Sequence, residues 1–130
     1  MIVLDASATI EWLLQTSTGA SIEDRIFSTT PSLHVPHLLD IEVAQVLRRY
    51  VAGYVITASR GEEALQDLAD LPLTRYPHDA LLWRIWELRS VLTAYDAAYI
   101  ALAEGLGAPL VTCDRKMARA SGHSAIIQVV

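Results

Sequence analysis

The sequence predicts an α/β fold built on a parallel sheet, and two observations carry that prediction. Short apolar runs alternate with longer helical stretches from one end of the chain to the other, the pattern of repeated β/α units. The opening residues, MIVLDAS, place four apolar side chains in a row before a carboxylate, as a strand buried on both faces does. With 130 residues and no internal repeat, low-complexity tract or linker, the chain reads as a single domain, 1–130, with one core.

The first strand is IVLD at 2–5, followed by a helix over 7–15 (SATIEWLLQ) and another over 20–28 (ASIEDRIFS). LHVP at 33–36 is the second strand, with a helix over 38–53 (LLDIEVAQVLRRYVAG) after it. A helix over 59–71 (SRGEEALQDLADL) precedes the third strand, LTRY at 73–76. Helices follow over 79–92 (DALLWRIWELRSVL) and 94–107 (AYDAAYIALAEGLG). The second of these ends in AEGLGAP, glycines and a proline after a helical run, which is the expected stop before a strand. Because a strand follows the glycines, GLGAPL is a helix stop and a poor phosphate-binding loop. The fourth strand is PLVTCD at 109–114, a short helix covers 115–122 (RKMARASG), and AIIQVV at 125–130 is the fifth strand.

The composition, 52% hydrophobic and 19% charged, is too apolar for disorder. A mean hydropathy of +0.31 leaves apolar surface to spare for a partner. No run approaches the ~18 apolar residues of a membrane span, and no basic segment leads into an apolar one at the start. A cytoplasmic protein with no membrane partner is expected. The single cysteine, Cys113, has no intramolecular disulfide partner and reads as a structural thiol. A net charge of −5 argues against a broad basic face for nucleic acid, though bound metal offsets acidity in a nucleic-acid enzyme.

Most acids, such as Glu62, Glu63, Asp67 and Asp70, sit among polar neighbours and read as surface charge. Asp5, Glu42, Asp96 and Asp114 are different, because each has apolar or small neighbours and lies where a helix begins. Capping alone accounts for such positions: Asp5 and Asp114 precede helices, Thr93 and Asp96 have the spacing of a capping box, and Glu42 suits the helix dipole. In a parallel sheet those positions also share the carboxyl edge where ligands bind. VLDAS and VTCDR bring an acid straight off a buried run, and AYDAAYIALA carries one on a helix with almost no polar face. A partly enclosed carboxylate costs several kcal/mol unless paired or coordinated, and no neighbouring cation in sequence pairs with these. An all-carboxylate set suits a hard ion such as Mg²⁺ or Mn²⁺, which polarises phosphoryl oxygens and activates water.

These positions, with their flanks VLDASATIEWLL, PHLLDIEVAQVLRR and LTAYDAAYIALAEGLGAPLVTCDRKMARA, resemble a PIN-domain ribonuclease of the VapC type, the toxin of a toxin–antitoxin pair. The resemblance spans the whole chain. It implies a three-layer fold with a central parallel five-stranded sheet flanked by helices, and a Mg²⁺- or Mn²⁺-dependent endoribonuclease acting on RNA such as tRNA or rRNA. It assigns Asp5, Glu42, Asp96 and Asp114 as the catalytic, metal-binding acids. Ser7, two residues after Asp5, and Thr112, two before Asp114, become hydroxyls orienting the ligands. It also implies a homodimer, a cognate VapB-type antitoxin, and contact with DNA only through that antitoxin. Some members carry a further acid just after the fourth; here RKM follows Asp114.

Arg48, Arg49, Arg115, Lys116 and Arg119 are half of the ten basic residues, and Arg115, Lys116 and Arg119, directly after Asp114, are candidates for RNA phosphate. The histidines are scattered and complete no zinc pattern. Trp83 and Trp86 share a helix face and could anchor a partner. Other readings are a different Mg²⁺-dependent phosphohydrolase and a non-catalytic PIN interaction module. Against the first, haloacid-dehalogenase-type phosphatases need a second aspartate where Ser7 stands. Against the second, all four acids are intact.

Overall fold

The computed structural model describes residues 1–130. Five strands, β1 (Ile2–Leu4), β2 (Leu33–Pro36), β3 (Leu73–Tyr76), β4 (Leu110–Thr112) and β5 (Ile127–Val129), form one sheet in the order β3-β2-β1-β4-β5. Every pairing is parallel, with Val3 of β1 opposite His34 of β2 and Leu110 of β4. Ile2, Val3 and Leu4 point to alternate faces and all three are buried, so the sheet is covered on both sides. This is the three-layer arrangement expected of the chain.

The flanking helices are α1 (Ala6–Leu13), α2 (Ser17–Thr29), α3 (Leu38–Ala52), α4 (Ala58–Asp70), α5 (Leu82–Glu87), α6 (Ala94–Leu106) and α7 (Arg115–Arg119). Helix α6 packs on β1, β2 and β4, and its residues Ala97–Ala103 are buried without a break. A helix apolar all round belongs in the interior, and this one carries Asp96 in its first turn to the sheet's edge. Its C-cap, Gly107, takes φ +61°, the left-handed conformation that the glycine stop supplies. Helices α1 and α2 cross so closely that a Cβ at Gly19 would lie 2.0 Å from the Glu11 carbonyl oxygen.

Side-chain caps start most helices. Asp5 accepts from Ala8 N–H (2.9 Å), Thr93 from Asp96 N–H (3.2 Å) and Asp114 from Lys116 N–H (2.8 Å). The capping reading of these positions is therefore correct as far as it goes. Both acids lie just beyond their strands, which end at Leu4 and Thr112 instead of running through Asp5 and Asp114. The helix after β1 begins at Ala6, so Ser7 sits inside its first turn.

The main departure is the helix expected over 79–92. It is one 3₁₀ turn (Asp79–Leu81) and then α5, six residues long. Leu88 N–H is shared between the Arg84 and Ile85 carbonyls at 3.1 and 3.2 Å, and Val91 and Leu92 both bond back to Leu88, which turns the chain. The apolar spacing there does not mark one buried stripe: Leu88 enters the core while Trp83 and Trp86 are 82% and 60% exposed. The helix expected over 115–122 likewise stops at Arg119.

Candidate active site

Strand β1 pairs with β2 on one side and β4 on the other, and β4 leads outward to β5. The strand order reverses between β1 and β4, and in open α/β sheets that crevice at the carboxyl ends is where ligands bind. Asp5 emerges there and is 3% exposed. Its Oδ1 accepts from Ser7 Oγ (2.7 Å) and Ala8 N–H, and its Oδ2 accepts from the Thr112 hydroxyl. Ser7 Oγ in turn accepts from Cys113 N–H, and Thr112 Oγ from Asp114 N–H, both at 2.9 Å. Each hydroxyl gives its one proton to Asp5, so the 3.3 Å approach of Ser7 to Thr112 is proximity within a clasp, not a further bond. The clasp ties β1 to the β4–α7 turn and fixes the Asp5 rotamer.

Glu42 reaches the edge from α3, where Tyr99 of α6 donates its hydroxyl to Oε1 at 2.6 Å. Tyr99 is 1% exposed. The sequence reading overlooked it, although a tyrosine three residues after Asp96 in an otherwise aliphatic run is a signal, because a buried phenol needs a partner. One helix thus supplies both an acid, Asp96, and the hydroxyl that holds another.

The carboxyls lie in one another's field. Burial is the largest influence on Asp5 and raises its pKa, with the Asp96 charge adding to it and the three hydrogen bonds opposing. Glu42 is raised by burial and by the charges of Asp96 and Asp5 against the pull of Tyr99. Asp96 is raised by burial and by Asp114, with Thr93 offsetting part. All four ion pairs of the chain use other acids: Asp40, Glu63, Glu87 and Glu104. No cation therefore compensates the edge, as the sequence suggested.

The donors are carboxylate oxygens with hydroxyls behind them, the chemistry of a hard divalent cation. No three acidic, imidazole or thiol side chains converge as a closed coordination group. Hydrogen bonds hold Asp5 and Glu42 in place, and the charges of Asp5 and Asp96 both act on Glu42. The set fits a cation by chemistry and electrostatics.

The basic residues divide in two. Arg25, Arg60, Arg75, Arg84 and Arg89 are engaged with Gln128, Leu13 and Glu63, Asp40, Glu104, and Trp86 respectively. Arg115, Lys116 and Arg119 are exposed on α7 beside Asp114, and Arg48 and Arg49 are exposed on α3. Cys113 is half-buried, and burial pushes its thiol pKa up, which suits a structural thiol.

A five-stranded parallel sheet with acids just beyond the ends of β1 and β4 and on two helices along the same carboxyl edge matches the arrangement of a PIN domain. The PIN-domain family pattern matches residues 2–122, and the chain belongs to that family. Within it, the chain is similar to VapC ribonucleases of Mycobacterium tuberculosis. It is 42% identical over 130 residues to Ribonuclease VapC12, covering 100% of this chain and 99% of that one. To Ribonuclease VapC9 it is 43% identical, with 100% and 98% covered. Among solved structures, VapBC2 of Rickettsia felis bound to a promoter DNA fragment superposes with a TM-score of 0.71 at 14% identity, over 99% and 98% of the two chains. M. tuberculosis VapC20, a sarcin-ricin loop cleaving toxin, gives 0.68 at 13% identity, over 97% and 98%. These last two likenesses concern the fold.

Proposed function

We propose that this chain is the toxin of a VapBC-type pair, an endoribonuclease that hydrolyses RNA phosphodiester bonds with Mg²⁺ or Mn²⁺ and is neutralised by a VapB-type antitoxin. The carrying observation is the uncompensated field of Asp5, Glu42 and Asp96 at the switch point, in a chain whose full-length relatives are VapC ribonucleases. Structured RNAs such as tRNA and rRNA are the first targets to test. The toxin acts in the cytoplasm as a homodimer, which the exposed Trp83 and Trp86 favour, and meets DNA only through its antitoxin.

Asp5, Glu42, Asp96 and Asp114 would hold the cation, which when bound supplies positive charge to the scissile phosphate and acidifies water. Asp5 is the fixed point. Three donors occupy its oxygens, leaving roughly one of about four lone-pair directions for the crevice. Glu42 keeps Oε2 free while Tyr99 holds Oε1. Asp96, half-buried on α6 and within the field of Asp114, would help to position the attacking water beside the cation. Direct attack by water leaves no covalent enzyme intermediate.

The test is cleavage of a structured RNA by purified protein with Mg²⁺, Mn²⁺ or chelator. Cleavage only with a divalent ion, abolished by Asp5→Asn and by Asp96→Asn with the fold intact, supports the reading. Variants that cut as well as the parent would sink it.

A further inference from the structure

Two clefts lie beside the site and share three residues, of which Arg49 alone is charged. The first, about 340 Å³, is lined by Ala6, Ile41, Glu42, Gln45, Val46, Arg49 and Tyr95. The second, about 260 Å³, shares Ala6, Val46 and Arg49 and runs on to Ser7, Glu11 and Cys113. Each therefore contains one residue of the site, Glu42 in the first and Ser7 in the second. The furrow therefore borders the site along α1 and α3.

Its chemistry is specific. Glu42, Gln45, Val46 and Arg49 fall on one face of α3 at i, i+3, i+4 and i+7, so Arg49 stands about 10 Å along the helix from Glu42. The Arg49 side chain is exposed and engaged in no hydrogen bond or ion pair, and it is the only cation lining either cleft. Tyr95, 65% exposed, lines the first cleft from α6 and directly precedes Asp96, and Ile41, 74% exposed, lines the same cleft. A free guanidinium, an open aromatic face and the Gln45 amide form the combination that grips single-stranded nucleic acid: charge for the backbone, stacking for a base, a polar group for its edge. A cleft of this size is in the range that takes a small ligand or one residue of a chain.

We propose that this cleft is the substrate subsite next to the cut, where Arg49 holds an RNA phosphate and the Tyr95 ring stacks an unpaired base. The proposal rests on the ribonuclease reading and adds to it that the RNA is single-stranded at that point. It also shifts the weight of backbone recognition from α7, where Arg115, Lys116 and Arg119 border neither cleft, to α3. Arg48 is an internal control, since it is the adjacent residue with the same charge but lines the separate groove between α3 and α4.

The experiment measures binding of a short fluorescent single-stranded RNA to an Asp96→Asn background by anisotropy across salt concentrations, alongside cleavage by the otherwise intact enzyme. Arg49→Gln should weaken binding severalfold and lower the salt slope by about one phosphate contact. Tyr95→Ala should weaken it on the order of 5- to 100-fold, with Tyr95→Phe close to parent. In cleavage both losses should appear mainly in KM. Arg48→Gln should leave the slope unchanged. Equal losses for Arg48→Gln and Arg49→Gln, or no loss with Tyr95→Ala, would overturn the subsite. So would intact RNA binding combined with lost inhibition by a VapB-type antitoxin that neutralises the parent, which would give the cleft to a protein. Failure of the parent to cut any RNA is a separate result that strikes the ribonuclease reading itself.

Discussion

Tyr99→Phe removes a single buried O–H and tests how α6 supports Glu42. The bond is 2.6 Å long, its donor is 1% exposed, and its acceptor is a half-buried carboxylate. Hydrogen bonds to charged groups contribute about 1.5–3 kcal/mol net. At roughly 2.1 cal/mol/K per residue, unfolding a chain of this length carries an entropy near 0.27 kcal/mol/K, so Tm should fall by about 5–11 °C in chelator at pH 7.5. The loss must depend on pH. Tyr99 favours ionised Glu42, so the variant raises the Glu42 pKa beyond the level that burial already sets. The bond's contribution is full where Glu42 is ionised and shrinks as pH falls through its folded value. Thermal melts followed by circular dichroism at pH 7.5 and pH 4 measure this directly. A drop under about 2 °C, or an equal drop at both pH values, would refute the assigned role of the bond.

Three further outcomes follow from the same geometry. Asp96→Asn should raise Tm in chelator at neutral pH, because a carboxyl whose folded pKa is raised loses stability as pH climbs through it; the gain should vanish by pH 3. Glu104→Gln should do the opposite. Hydrogen bonding to Arg84, chiefly, holds the Glu104 pKa at about 2, so its contribution of up to about 3 kcal/mol is complete above ~4.5 and fades toward pH 2 in urea titrations. Gly19→Ala should lose about 3 kcal/mol or more, since its Cβ would meet the Glu11 backbone at 2.0 Å and force α1 from α2; an unchanged urea midpoint would contradict that packing.

Much of the site was legible because its logic is local. A buried run that ends on a carboxylate announces both a strand and its edge, and Asp5, Asp96 and Asp114 lie at helix starts as the β/α pattern puts them, whereas Glu42 sits beyond the first turn of α3, whose first-turn acid is Asp40. The Asp5 hydroxyls were legible too, since Ser7 lies two residues away and Thr112 is in the run that carries Asp114. Tyr99 was missed because its partner is 57 residues distant and depends on how α3 meets α6. The fate of the arginines was hidden for the same reason: only the fold sends Arg84 to Glu104 and leaves Arg49 free. Helix α5 was overestimated because apolar spacing cannot tell a buried stripe from the exposed Trp83 and Trp86.

On the proposed function the acid edge trades stability for chemistry: carboxylates that burial and mutual repulsion penalise would serve to hold a cation against a phosphate. The most direct test is sequencing of RNA 5′ ends in cells after a brief pulse of the parent protein or Asp96→Asn without antitoxin. The account predicts discrete new ends in a small set of RNAs, together with growth arrest, for the parent and neither for the variant. No new ends from the parent, or the same ends from both proteins, would contradict it.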